Sequence, residues 1–137
     1  MKWVDTHCHL QLIDETLDSE NFHNIEFLII PGVDTESSLK AKEISSEIDL
    51  ESYWSAGLHP HDAKLLNSQR QSLENLFQEA DLIGETGLDF YRNLSTKEEQ
   101  LENFLFHLEH SKQLDKPIII HCRDSFQDTY DQIVKFN

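Results

Sequence analysis

The chain alternates between two kinds of segment, and this alternation limits its fold more than any other feature. Short apolar runs occur at residues 3–8, 25–33, 53–58, 81–85 and 117–122, with Ile118-Ile119-Ile120 the clearest of them. Runs of this length, apolar on consecutive positions and bounded by Gly, Pro or polar residues, read as strands buried on both faces. Between them lie patterns of helical period. Residues 35–48 carry Leu39, Ala41, Ile44 and Ile48, and residues 68–80 carry Leu73, Leu76 and Phe77. Ser95 and Glu98 have capping-box spacing ahead of Leu101, Phe104, Leu105 and Leu108, and a last helix is expected to start near Asp124 or Ser125 and to run to Asn137. A helix after each strand predicts an α/β fold with a parallel sheet.

The ends of the runs carry the chemistry. If the first strand extends through His9, Asp5, His7 and His9 share one face and Cys8 takes the other. Two imidazoles so spaced can chelate one divalent ion, although a His pair of this kind also occurs on ordinary surfaces. Glu85 closes the fourth run between Gly84 and Gly87, where a carboxylate can bridge two metals or lie solvated in a turn. His121 closes the fifth run and is a further candidate ligand. His59 closes the third and can reach a substrate. Arg123 either meets a phosphate or pairs with Asp124. Asp89 either orients a ligand or caps a turn, and His61 reads as a solvent-facing or helix-start residue. Each has an ordinary structural reading alone. Together, four successive strand ends bearing His or Glu converge only if the strands are parallel and their C-terminal ends form one rim.

The remaining residues narrow the class. The net charge of −15 repels phosphate at long range, so no basic nucleic-acid-binding patch is expected, while bound metal could still meet an anion locally. The longest apolar run falls well short of the roughly 18 residues of a membrane span. The first residues, MKWVDTHCHLQLIDE, show no apolar leader, and two Cys give no disulfide framework, so a reducing, cytoplasmic setting is expected. Trp3 and Trp54 are expected in the core, Cys8 and Cys122 as small buried packing residues, and His23, His107 and His110 on the surface.

Asp5-Thr6-His7-Cys8-His9-Leu10, Gly57-Leu58-His59-Pro60, Gly84-Glu85-Thr86-Gly87-Leu88-Asp89 and Lys116-Pro117-Ile118-Ile119-Ile120-His121-Cys122-Arg123 resemble, in order and spacing, the successive motifs of the TatD family of metal-dependent hydrolases and deoxyribonucleases. The resemblance implies a TIM barrel related to the amidohydrolases. It implies a site of two divalent ions (Mg, Mn or Zn) with His7 and His9 on the first, His121 on the second and Glu85, the catalytic carboxylate, bridging them. It implies DNA as substrate, and His59 and Arg123, from their positions at the strand ends, are the residues expected to bind it. Two further family ligands, a His and an Asp after later strands, have no counterpart here, since no His follows His121. A closed (β/α)8 barrel takes about 250 residues. The 137 residues are therefore expected to form a single partial barrel domain, the five N-terminal strands, with the metal site at the C-terminal rim. Two other outcomes fit the same residues: a non-catalytic remnant that needs a complementing chain, and a related amidohydrolase acting on a small ester or amide.

Overall fold

The computed structural model describes residues 1–13 and 22–136. Five parallel strands, β1 (Trp3–Asp5), β2 (Ile25–Pro31), β3 (Ser52–Ala56), β4 (Leu82–Asp89) and β5 (Ile118–Arg123), lie side by side in sequence order. The α-helices are α1 (Thr35–Glu47), α2 (Leu66–Glu79), α3 (Lys97–Leu114) and α4 (Phe126–Phe136). Sequential order has a topological consequence. Right-handed crossovers that always step in one direction put every helix on the same face of the sheet. That is the barrel arrangement, and a doubly wound sheet would need a reversal of order. A helix follows every strand from β2 onward. After β1 the described residues hold only a 3-10 turn, Leu10–Leu12. The expected helical position of Asn137 lies outside the described residues.

The main core forms between strands and helices from Leu28, Ile30, Trp54, Leu58, Leu73, Phe77, Ile83 and Phe106. A smaller cluster of Leu88, Phe104 and Leu108 packs on Ile118, Ile120, Ile133 and Phe136. Trp54 is buried as expected, but Trp3 is 59% exposed, because β1 is an edge strand with no neighbour on its outer side. Cys122 is exposed and Cys8 only half-buried. The Cys8 thiol, drawn to the Ile29 carbonyl at 3.3 Å, is pushed up to about 11 by burial and by the nearby Asp5 carboxylate.

Helix starts explain two shifts from the sequence reading. Asp34, one residue before the expected opening, accepts the Ser37 N–H at 2.7 Å, and Ser37 Oγ accepts the Asp34 N–H in return. For α3 the box is Thr96 with Glu99, not Ser95 with Glu98. Ser95 is otherwise engaged: its hydroxyl accepts the Lys64 N–H and donates to the His61 carbonyl at 2.9 Å. Lys116, just before β5, donates to the carbonyls of Phe77, Gln78 and Ala80 and so caps the C-terminal end of α2.

Gly87 pairs with His121 across β4 and β5 at φ +137°, a backbone region closed to L side chains. A Cβ there would run into the His121 carbonyl. Gly87→Ala is expected to cost roughly 2–4 kcal/mol from backbone strain and overpacking together. Urea unfolding checks this, and a loss below 1 kcal/mol would contradict it.

Candidate metal centre

The C-terminal ends of the strands gather His7, His9, His59, His61, Glu85, Asp89 and His121. His7 and His9 lie beyond β1, which ends at Asp5, so strand alternation does not aim them. The turn is held instead by the Cys8 N–H to the Ile29 carbonyl (3.1 Å) and by His9 Nδ1, which donates to the Pro31 carbonyl (3.1 Å). That bond leaves His9 Nε2 facing Glu85 Oε2 at 3.5 Å. His7 Nε2 faces the same oxygen at 3.3 Å. On the other side His121 Nδ1 lies 3.2 Å from Glu85 Oε1. Each carboxylate oxygen of Glu85 therefore serves a different His set, which is the geometry of a bridge.

Glu85 reaches this position through an irregularity. The β4–β5 register shifts between Ile83 and Thr86, and the Glu85 N–H turns to the Gly32 carbonyl at 2.8 Å. The residue is 7% exposed. Burial by itself would raise its pKa, but above all hydrogen bonds from His121 and His9 outweigh this and hold the carboxyl well below the usual range. His9 and His121 are correspondingly raised, each first by its bond to Glu85, with burial working against the shift.

The donor set fits a metal. His7, His9 and Glu85 present ligand atoms all within 4.8 Å of one another, as do His59, Glu85 and His121. Bonds of about 2.1 Å to a shared ion place neighbouring ligand atoms roughly 3.0–3.4 Å apart, close to the separations observed here. The second group is chemically less uniform. His59 Nδ1 accepts the backbone N–H of His61 at 3.2 Å, so the neutral ring carries its proton on Nε2, which points to His121 Nδ1 at 3.2 Å. Burial and the neighbouring His121 push His59 down to about 4, so this ring is neutral at pH 7. It presents an N–H to the site rather than a lone pair.

Behind these groups stands a layer of support, of which the sequence pointed to Asp89 but not to His61 or the residues of α3. Asp89 is fully buried; its Oδ2 lies 3.0 Å from His121 Nε2 and 2.8 Å from His61 Nε2, and its Oδ1 accepts the Tyr91 and Arg92 N–H groups. Burial opposes its ionisation, but the Arg92 N–H and the two imidazoles prevail and keep the carboxyl far below its ordinary value. Asp89 thus both orients a ligand residue and caps a turn, and by receiving His121 Nε2–H it leaves Nδ1 for Glu85 and a metal. His61 faces the site instead of solvent. Three buried side chains of α3 hold the rim from behind. Gln100 bonds both the N–H and the carbonyl of Asp89. Asn103 Nδ2 donates to the Leu58 carbonyl at 2.7 Å, and His107 Nε2 accepts the Leu58 N–H at 3.1 Å. His107 is fully buried and His110 half-buried, so neither lies on the surface. The readable signal was spacing: Gln100, Asn103 and His107 stand three and four residues apart, polar residues on one helical face among apolar neighbours. Arg123 does not pair with Asp124 among the described contacts; its guanidinium lies 3.9 Å over the Tyr91 ring. The cluster opens to a pocket of about 380 Å³ lined by His7, His9, Val33, His59, His61, Asp62 and Glu85.

Fold and site together define a parallel α/β barrel-type protein with a His–carboxylate cluster at its strand ends that could hold a divalent metal. Residues 4–137 match the model of the TatD-related DNase family, and the chain belongs to that family. It is 30% identical to the "uncharacterized metal-dependent hydrolase YcfH" of Escherichia coli K12, over 92% of this chain and 51% of that protein. It is 38% identical to the "3'-5' ssDNA/RNA exonuclease TatD" of the same organism, over 73% of this chain and 39% of that protein. The crystal structure of YJJV, a TatD homologue from Escherichia coli K12, superposes with a TM-score of 0.86 at 21% identity, covering 98% of this chain and 56% of that one. A TatD-family hydrolase from Entamoeba histolytica gives 0.81 at 18% identity, covering 99% of this chain and 55% of that one. The chain spans about half the length of the curated relatives it matches, and its five strands are those of a partial TatD-type barrel.

Proposed function

We propose that residues 1–137 form the five-strand part of a TatD-type barrel domain whose rim hydrolyses DNA phosphodiester bonds through two divalent ions. The observation that carries this reading is the division of Glu85, with Oε2 toward His7 and His9 and Oε1 toward His121. When bound, a metal pair would polarise the phosphodiester, activate water and offset charge on the leaving oxygen. His7, His9 and Glu85 would hold the first ion, and Glu85 with His121 the second. His59, neutral with its proton on Nε2, would donate to a phosphate oxygen, and Arg123 would add a positive charge at the lip. Asp89 would keep His121 in the ligating tautomer.

Among the described residues, Glu85 and His121 would be the protein ligands of the second ion. We propose that a further polypeptide segment, in the same chain or a complementing one, supplies the rest. Imidazole-rich donors favour zinc over magnesium in affinity. Free thiols at Cys8 and Cys122 fit a reducing, cytoplasmic setting, and no helix among the described residues is long and apolar enough to cross a membrane.

The test is chelation. Treating the protein with EDTA should abolish cleavage of a single-stranded DNA oligonucleotide, and added manganese, zinc or magnesium should restore it. Cleavage that survives complete metal removal would reject the reading. Hydrolysis of a small carboxylic ester or amide, with DNA left intact, would move the protein to the wider amidohydrolases. No hydrolysis until a second chain is added would favour the complementation reading.

A further inference from the structure

We propose that Tyr91 and Arg123 form a stacking platform for an unpaired nucleobase next to the scissile phosphate, an inference that rests on the nuclease reading above. Four observations converge on it. First, Tyr91 lies two residues beyond the end of β4, and it is 60% exposed although large and aromatic. The preceding aromatic, Phe90, is half-buried against the cluster of Leu88, Phe104 and Leu108 and covered by Lys97 at 4.1 Å, so the turn directs one ring inward and leaves the other at the rim.

Second, the ring is held in place. The Tyr91 N–H is bonded to Asp89 Oδ1 at 3.1 Å, and Asp89 Oδ2 contacts His121 at 3.0 Å. One buried carboxylate therefore sets both a proposed metal ligand and the backbone that carries the platform. Third, Arg123 stands two residues beyond His121 on β5 and projects to the same face. Its guanidinium lies 3.9 Å over the Tyr91 ring, so the two planar groups form one exposed stack at the edge of the site. Fourth, the chain has a net charge of −15. A substrate strand finds no broad positive surface here, so a base-face contact supplies retention that charge does not.

Bases stack on aromatic rings and on Arg planes without regard to sequence, because every base has a π face. The ligand class is accordingly an unpaired base of a single strand. A base paired within a duplex has both faces covered by its neighbours.

The experiment uses a phosphorothioate single-stranded DNA octamer, resistant to cleavage, and the same octamer built with abasic residues, both titrated with manganese present. Tyr91→Ala is expected to weaken binding of the intact octamer about tenfold, while Tyr91→Phe stays within about twofold of the native protein. The abasic octamer should bind the native protein weakly and be indifferent to Tyr91→Ala. On a small chromogenic phosphodiester, Tyr91→Ala should leave kcat and KM unchanged, whereas on a cleavable oligonucleotide it should raise KM. The Tyr91 ring is exposed and its backbone bond to Asp89 does not depend on the side chain, so both variants should fold. Equal binding of the intact octamer by native protein and Tyr91→Ala would overturn the platform, as would equal losses on intact and abasic strands. The two readings fail separately. Base-dependent, Tyr91-dependent binding without metal-dependent cleavage would retain the platform and reject the nuclease. Metal-dependent cleavage with Tyr91→Ala neutral would do the reverse.

Discussion

Glu85→Ala is expected to abolish metal binding at the proposed paired site and to lower metal-dependent hydrolysis by at least about a thousandfold, the scale of losing several kcal/mol of transition-state stabilisation. The expectation follows from one carboxylate facing three imidazoles at 3.2–3.5 Å. Asp5 Oδ1 accepts only the backbone N–H of His7, at 3.1 Å, and the next carboxylate, Asp89, reaches the Nε2 side of His121 and of His61. Removing Glu85 would therefore leave the His7 and His9 rings facing no carboxylate, and no carboxylate between them and His121 to hold two cations. Folding should survive, because the Ala side chain fits where a shielded carboxylate stood and the core clusters lie elsewhere. Calorimetric titration with manganese or zinc, paired with urea unfolding, separates the two effects. Two ions bound by Glu85→Ala with near-native affinity would reject the bridging role.

The second large effect is acid lability set by His107. Burial pushes this ring down to about 4 from an ordinary 6.5, opposed only in part by its bond to the Asn103 carbonyl. Nδ1–H donates to that carbonyl at 2.7 Å while Nε2 accepts the Leu58 N–H, so the folded protein holds the ring neutral at both nitrogens. The unfolded chain takes up a proton below about 6.5, and the folded one does so only near 4. Stability contributed by the neutral ring is thus complete above pH 6.5 and is lost as pH falls from 6.5 to 4, by on the order of 3 kcal/mol. His59, lowered in the same way, loses stability over the same window, while the raised pKa values of His9 and His121 give contributions that are present below 6.5 and fade as pH rises above it. His107→Gln, which can still accept the Leu58 N–H, should flatten the profile between pH 6.5 and 4.5. Urea unfolding in EDTA across that range measures it. An unchanged slope in the variant would refute the assignment. Because Leu58 precedes His59, the same protonation should also loosen the rim.

Much of the site was legible because ligand chemistry is written in residue type. His7, His9, Glu85 and His121 stand at or just after strand-like runs, and parallel strands bring such ends together whatever lies between. Asp89, His61 and the α3 residues Gln100, Asn103 and His107 were harder to see. Each is a polar residue whose role depends on what lies opposite it, and a single chain read linearly has no opposite side. His107 is read as a surface residue on a polar, amphipathic helix, yet it is fully buried because α3 lays that face against the loop at Leu58. Trp3 errs in the other direction: a large apolar residue in a strand is expected inside, but an edge strand has only one neighbour.

Local chemistry therefore settled what needed no partner: the strand–helix alternation and the parallel sheet that follows from it. Only the tertiary structure decided how they are used. It put all helices on one face through the sequential strand order. It turned Glu85 out of the ladder so that its two oxygens serve two His sets. It also chose tautomers, His9 through Pro31, His59 through His61 and His121 through Asp89. The reason is physical. Burial, register and the proton on a ring nitrogen are set by atoms distant in sequence, and their energies exist only once the chain has closed around them.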